Sequence, residues 1–186
     1  GVTAALVIPG VLHAQAPDLS CLDGRLNGFF DQPSATDEEG TFQNRLDDYA
    51  SRLAAFNCEQ GLVLDGLADP VAGSWIGEEG YFTFDQGRFR WSVELPGDER
   101  EYYLAGKYTW LPGCELEDVM SLDRNGVPCY TALLRYEETM SSDVLTKDLY
   151  YGGLMAAPEG AGQAGERASM FNMRTGGSFY VDRLKQ

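Results

Sequence analysis

Histidine is all but missing from this sequence, with His13 the one imidazole in 186 residues. If His13 is lost in maturation, there is no Ser-His-Asp triad, no imidazole base and no imidazole metal ligand. Basic residues are scarce as well, with 14 Lys and Arg against 29 Asp and Glu and a formal charge of -15. That balance repels phosphate backbones and anionic headgroups, so nucleic acid is not an expected partner. No stretch approaches the roughly 20 apolar residues that a membrane-spanning helix needs, and no transmembrane span is predicted. The four cysteines contain no C-x-x-C spacing, which disfavours both thioredoxin chemistry and a zinc ribbon.

What is present is the composition of one globular domain, with 44% hydrophobic residues to build a core. Val2 to Leu12 is a short apolar run, and Ala14-Gln15-Ala16 has the small-x-small pattern of a signal-peptidase site. The sequence therefore predicts a signal peptide over residues 1–16 with a truncated start, since neither an initiator Met nor a basic stretch precedes the run. The mature chain would begin at Pro17, without His13, in the periplasm or outside the cell. In such a compartment Cys21, Cys58, Cys114 and Cys129 are expected to form two disulfides and no metal site. Of the three connectivities, local loop closure favours Cys21 with Cys58 and Cys114 with Cys129.

Residues 17–72 are predicted as an N-terminal arm and helix. Thr36 and Glu39 make a capping-box pattern, and Phe42, Leu46, Tyr49, Leu53 and Phe56 recur at steps of three and four along one stripe. That stripe is expected to pack on the following domain. Gly61 to Ala72 reads as a connector with an apolar patch at Leu62, Val63 and Leu64.

Residues 73–186 read as strands. With Gln86-Gly87 as a two-residue turn, Asp85 faces Arg88, Phe84 faces Phe89, Thr83 faces Arg90 and Phe82 faces Trp91, so aromatic and charged pairs fall into one register. About eight strands are predicted, near 73–77, 80–85, 88–95, 101–111, 129–137, 144–151, 167–173 and 178–184. The expected fold class is mainly β, an eight-stranded antiparallel up-and-down barrel preceded by one amphipathic α-helix. Alternation places Phe89 and Trp91, then Tyr102, Leu104, Gly106, Tyr108 and Trp110, then Tyr130, Ala132, Leu134 and Tyr136, on inward faces. Those rings and hydroxyls suit either a cavity for an amphiphilic molecule or a packed core. Between the fourth and fifth strands, a loop clamped by Cys114–Cys129 competes with a plain hairpin turning at Asn125-Gly126, in which Cys129 would face Leu122. Gly152 to Glu166 reads as a Gly/Ala-rich connector.

Gly73-Ser74-Trp75 opening the first strand, and Arg183 on the last, resemble the lipocalin and calycin superfamily. Avidin-like barrels also open with Gly-x-Trp. The resemblance implies that Trp75 and Arg183 stack as a cation-π pair that closes one end of the barrel, a structural role. It is carried by few residues: no Thr-Asp-Tyr motif is present, and the helix precedes the barrel.

The adjacent carboxylates Glu78-Glu79, Glu117-Asp118 and Glu137-Glu138 would point to opposite faces of a strand, so none is an acid/base pair aimed at one bond. No enzyme activity, catalytic residue or cofactor is expected. The first functional reading is an exported lipocalin-like protein binding a small hydrophobic or amphiphilic ligand, with Phe82, Phe84, Trp91, Tyr102, Tyr108, Trp110, Tyr130 and Tyr136 as the wall. The alternative is a non-enzymatic envelope interaction protein, an inhibitor or assembly subunit, with a solid barrel and a protein partner.

Overall fold

The structure, a computed structural model, describes residues 20–22, 24–26, 41–78, 80–94, 100–139, 150–155, 167–172 and 178–184. The expected signal at 1–16 and the Thr36–Glu39 capping box lie outside them. Among the described residues the fold is mainly β, an antiparallel sheet with one α-helix. The helix is α1 (Thr41–Gln60), and the strands that pair into the main sheet are β1 (Gly73–Gly77), β2 (Gly80–Asp85), β3 (Arg88–Glu94), β4 (Arg100–Pro112), β9 (Tyr130–Thr139), β10 (Tyr150–Met155), β11 (Arg167–Asn172) and β12 (Ser178–Arg183). Four short strands, β5 (Cys114–Leu116), β6 (Val119–Ser121), β7 (Asp123–Arg124) and β8 (Val127–Pro128), lie between β4 and β9. Each main strand pairs antiparallel with its neighbour in the chain, and β1 pairs with β2 on one side and β12 on the other.

The β2–β3 hairpin has the expected register at all four positions, Asp85 to Arg88, Phe84 to Phe89, Thr83 to Arg90 and Phe82 to Trp91. Its turn residues Gln86 and Gly87 both take positive φ, 47° and 77°. Such a turn twists in the sense of the strands it joins, so the local backbone and the sheet agree. The Phe84 and Phe89 rings lie 6.3 Å apart, and Phe82 stacks on Trp91 at 6.1 Å.

Two irregularities interrupt simple alternation. Trp91 pairs with Leu104 but Ser92 pairs with Tyr102, which leaves Tyr103 as an extra residue on β4. Ala105 pairs with Glu138 but Gly106 pairs with Tyr136, which leaves Glu137 extra on β9. At the second bulge the backbones approach so closely that a Cβ on Gly106 would run into the Arg135 carbonyl oxygen and come within 2.8 Å of the Phe89 ring. Glycine is required there.

The sheet divides two clusters. On its inner face Val71, Trp75, Phe82, Phe84, Phe89, Tyr108, Trp110, Tyr130, Leu134, Met170 and Val181 pack together. On its outer face Leu111 and Leu133, one residue out of phase with Trp110 and Leu134, meet Tyr49, Ala50, Leu53 and Ala54 of α1, along with Leu22, Leu26 and Leu64. The expected helix stripe is therefore core packing at Tyr49 and Leu53, while the side chains of Phe42 and Leu46 lie outside the described residues. Asn57 ties the helix down by donating to its own Leu53 carbonyl and to the Pro112 carbonyl at the end of β4, both at 2.8 Å.

Both disulfides are Cys21–Cys58 and Cys114–Cys129, with Cα atoms 5.6 and 5.8 Å apart. Two disulfides fit an oxidising compartment. The competition between a clamped loop and a plain hairpin dissolves, because both are present. Asn125 and Gly126 turn β7 into β8, the Cys129 amide donates to Leu122 O at 2.9 Å, and Cys129 is still bonded to Cys114. The reason is a second hairpin, β5–β6, which puts Cys114 opposite Ser121 and returns the chain to its base. That hairpin turns at Glu117-Asp118, with φ of 49° and 66°, so this carboxylate pair lies at a turn and not on opposite faces of a strand.

The sixth main strand requires a correction. It was expected near 144–151, with Gly152 to Glu166 as a connector; residues 144–149 lie outside the described residues, and β10 (Tyr150–Met155) runs through Gly152, Gly153, Leu154 and Met155. Two glycines look like loop by composition, yet β9 and β11 pair with them on both sides and hold them extended. Residues 156–166 lie outside the described residues. Among the described residues no helix is long and apolar enough to cross a membrane.

Candidate functional site

One end of the sheet is closed by a short piece of what looked like a connector. Asp69, Pro70, Val71 and Ala72 run across the start of β1, and Val71 is fully buried in the inner cluster. Asp69 shapes this segment locally, because its Oδ1 accepts the Val71 amide at 2.8 Å. Three aromatic residues then hold it from inside. Trp75 Nε1 donates to Val71 O at 2.9 Å, Tyr108 Oη donates to Asp69 Oδ2 at 2.6 Å, and Tyr130 Oη donates to Pro70 O at 3.3 Å.

Arg183 completes the closure. Its Nη1 donates to Ala72 O and its Nη2 to Pro70 O, both at 2.6 Å, and its guanidinium lies 4.2 Å from the centre of the Trp75 ring. Register explains the approach, since Trp75 and Arg183 are direct partners across β1 and β12. A second arginine packs on a second ring of the inner cluster. Arg25 sits 4.8 Å from the Trp110 ring centre and donates to Trp110 O at 2.9 Å and Leu64 O at 3.4 Å. Burial lowers the Arg25 pKa, and Asp69 and Asp65 counter that by favouring the charged form.

The closed end also sets the protonation of its phenols. Burial, then the hydrogen bond to Asp69 and its charge, push Tyr108 well above the ordinary phenol value. Burial likewise raises Tyr130, opposed by Arg183, and, away from this end, raises Tyr49 on α1, opposed by its hydrogen bond with Thr131. All three phenols stay protonated over the ordinary pH range.

The eight residues expected to form a ligand wall therefore divide. Phe84, Tyr108, Trp110 and Tyr130 sit at or beside the closed end and pack on one another, Phe84 edge-on to Tyr108 at 5.1 Å and Trp110 edge-on to Tyr130 at 6.5 Å. The hydroxyls of Tyr108 and Tyr130, expected to offer polar tips to a ligand, are instead spent on Asp69 and Pro70. Phe82 and Trp91 lie further from that end, stacked together, with Phe179 of β12 5.8 Å from Phe82. Trp91 and Phe179 are only partly buried. Tyr102 is paired with Ser92 and Tyr136 with Gly106, and the side chains of both lie outside the described residues.

Asp69, Arg25 and Phe179 were not singled out from the sequence. The Asx-type turn at Asp69-Pro70 was the one local signal, because an Asp side chain that bonds the amide two residues on is a common turn device. Among the described residues no group of three or more His, Cys, Asp or Glu side chains is placed to hold a metal ion. No family model, curated protein or solved structure matches this chain.

Proposed function

We propose that the eight main strands act as a closed up-and-down barrel of lipocalin-like type in an exported, non-enzymatic protein. It binds a small hydrophobic or amphiphilic molecule at the end away from Asp69–Ala72. The observation that carries this reading is an asymmetry. One end of the inner cluster is closed by Trp75, Arg183 and the Asp69–Ala72 segment, while towards the other end Trp91 and Phe179 stay partly exposed beside Phe82. A closed floor beneath accessible rings is a one-mouthed site, and rings supply most of the affinity in such sites. Tyr102 and Tyr136 enter this proposal by their register positions.

Native mass spectrometry of the unreduced protein against a lipid and pigment panel, with tryptophan emission as a second readout, tests it. Trp91→Leu should weaken binding by about tenfold or more, the scale of one lost ring contact. Tyr108→Phe should leave affinity unchanged, since its hydroxyl is committed to Asp69. A panel that gives no bound species and no change in emission refutes the reading. That result would favour the alternative, a solid-barrel envelope interaction protein, for which the exposed Val119 and Leu122 on the disulfide-stapled hairpins offer a contact surface.

A further inference from the structure

The two disulfides differ in exposure. Cys114 and Cys129 are 0% and 3% exposed, whereas Cys21 is exposed and Cys58 is half-buried. The accessible bond holds the segment that brings Arg25 to the closed end. Ser20–Leu22 forms a single 3-10 turn, Leu22 and Leu26 are buried beside α1, and Arg25 reaches Trp110 and Leu64. Among the described residues this segment packs through one short turn and the buried Leu22 and Leu26, and Arg25 is a half-buried guanidinium that regains full hydration on leaving. The covalent tie to Cys58 limits that departure.

We propose that Cys21–Cys58 is a thiol-exchange site for dithiols, opened selectively while Cys114–Cys129 stays intact, and that opening it unlatches Arg25 from Trp110 and Leu64. A thiolate of the dithiol attacks Sγ of Cys21, the exposed residue of the pair, the Cys21–Cys58 bond breaks, and Cys58 leaves as a thiolate that takes up a proton. The second thiol of the reductant then attacks the mixed disulfide, closes the reductant's own disulfide and releases Cys21 as a thiol. Two electrons pass from the dithiol to the protein. Exposure decides which bond reacts, because the attacking thiolate must reach a sulfur in line with the bond it breaks. The outcome does not depend on the proposed ligand.

Graded dithiothreitol applied to the full chain, followed by alkylation and peptide mapping, reads the selectivity. Brief trypsin digestion at each point reads the latch. Cys21 and Cys58 should become alkylated at reductant concentrations at least about tenfold below those that open Cys114 and Cys129. Cleavage after Arg25 should appear over that same range, with no cleavage after Arg88 or Arg90 in β3. A C21S/C58S variant should be cut after Arg25 without reductant. Partial reduction of the unmodified chain gives the same readout should that variant fail to fold. Simultaneous opening of both disulfides, or Cys114–Cys129 opening first, overturns the selectivity. An Arg25 that remains protected once Cys21 and Cys58 are alkylated overturns the latch.

Discussion

Arg183→Met asks how much one side chain contributes to the closed end. The substitution keeps most of the aliphatic stem and removes two charge-assisted hydrogen bonds, to Ala72 O and Pro70 O at 2.6 Å each, and the cation-π contact with Trp75 at 4.2 Å. Bonds from a charged donor contribute about 1.5–3 kcal/mol each and the ring contact about 0.5–2 kcal/mol. Arg183 is half-buried, so the lower end of both ranges applies, and the expected loss is about 3–4 kcal/mol. For a chain of this size that is a fall in Tm of about 6–16 °C. Arg183→Lys should restore about half, because an ammonium can sit over Trp75 and reach one carbonyl but cannot span two. The assay is urea unfolding followed by far-UV circular dichroism, run as a double-mutant cycle with Trp75→Leu. The cycle should return a coupling of about 0.5–2 kcal/mol. A coupling under about 0.3 kcal/mol, or a loss under about 1 kcal/mol for Arg183→Met, would show that the contacts at this end do not stabilise the fold and that the reasoning is wrong.

Tyr108→Phe should cost about 1.5–3 kcal/mol in the same urea assay, because it removes a 2.6 Å bond to the Asp69 carboxylate, which keeps its bond from the Val71 amide. Alkaline unfolding follows from Tyr49, Tyr108 and Tyr130, whose pKa values are all raised by burial. Above about pH 10 the unfolded chain releases these protons while the folded chain keeps them, so the unfolded state binds fewer and stability falls as pH rises. Stability should therefore be level with respect to these groups up to about pH 9 and drop above pH 10, less steeply in the Tyr108→Phe variant; an unchanged alkaline slope in that variant would contradict the assignment. Gly106→Ala should destabilise by at least about 1–3 kcal/mol, since its methyl meets the Arg135 carbonyl and the Phe89 ring, and a thermal melt matching the parent protein would mean that the bulge is not as tight as described.

Features governed by neighbours in the chain were legible in the sequence. Gln86-Gly87 specifies a turn with two positive φ values, and once the turn is placed every pairing from Asp85–Arg88 to Phe82–Trp91 follows by counting. The helix stripe at Tyr49 and Leu53 and the two disulfide pairings were legible for the same reason, short spacing with few competing arrangements. The mainly β class with one preceding helix could be read from periodicity. Other features were decided only when distant segments met. Glu117-Asp118 lacks the Gly or Asn that usually marks a turn with two positive φ values, and its hairpin shows only in the β5–β6 pairing that sets Cys114 opposite Ser121. Gly152 and Gly153 are strand because β9 and β11 bond them from both sides. The extra residues Tyr103 and Glu137 shift the alternation by one, and a bulge is invisible to a pattern that assumes period two.

The closed end shows the division most clearly. Trp75 and Arg183 were named from the sequence, but Asp69 and Arg25 were not, because their roles rest on Tyr108, 39 residues away, and on the Trp110 carbonyl, 85 residues away. Hydroxyls on Tyr108 and Tyr130 look alike whether they face a ligand or a backbone carbonyl. A sequence gives each side chain its chemistry and, through the turn and the period, its face. Which partner satisfies that chemistry is settled when the chain closes on itself, since a buried donor takes whichever acceptor the fold brings within about 3 Å.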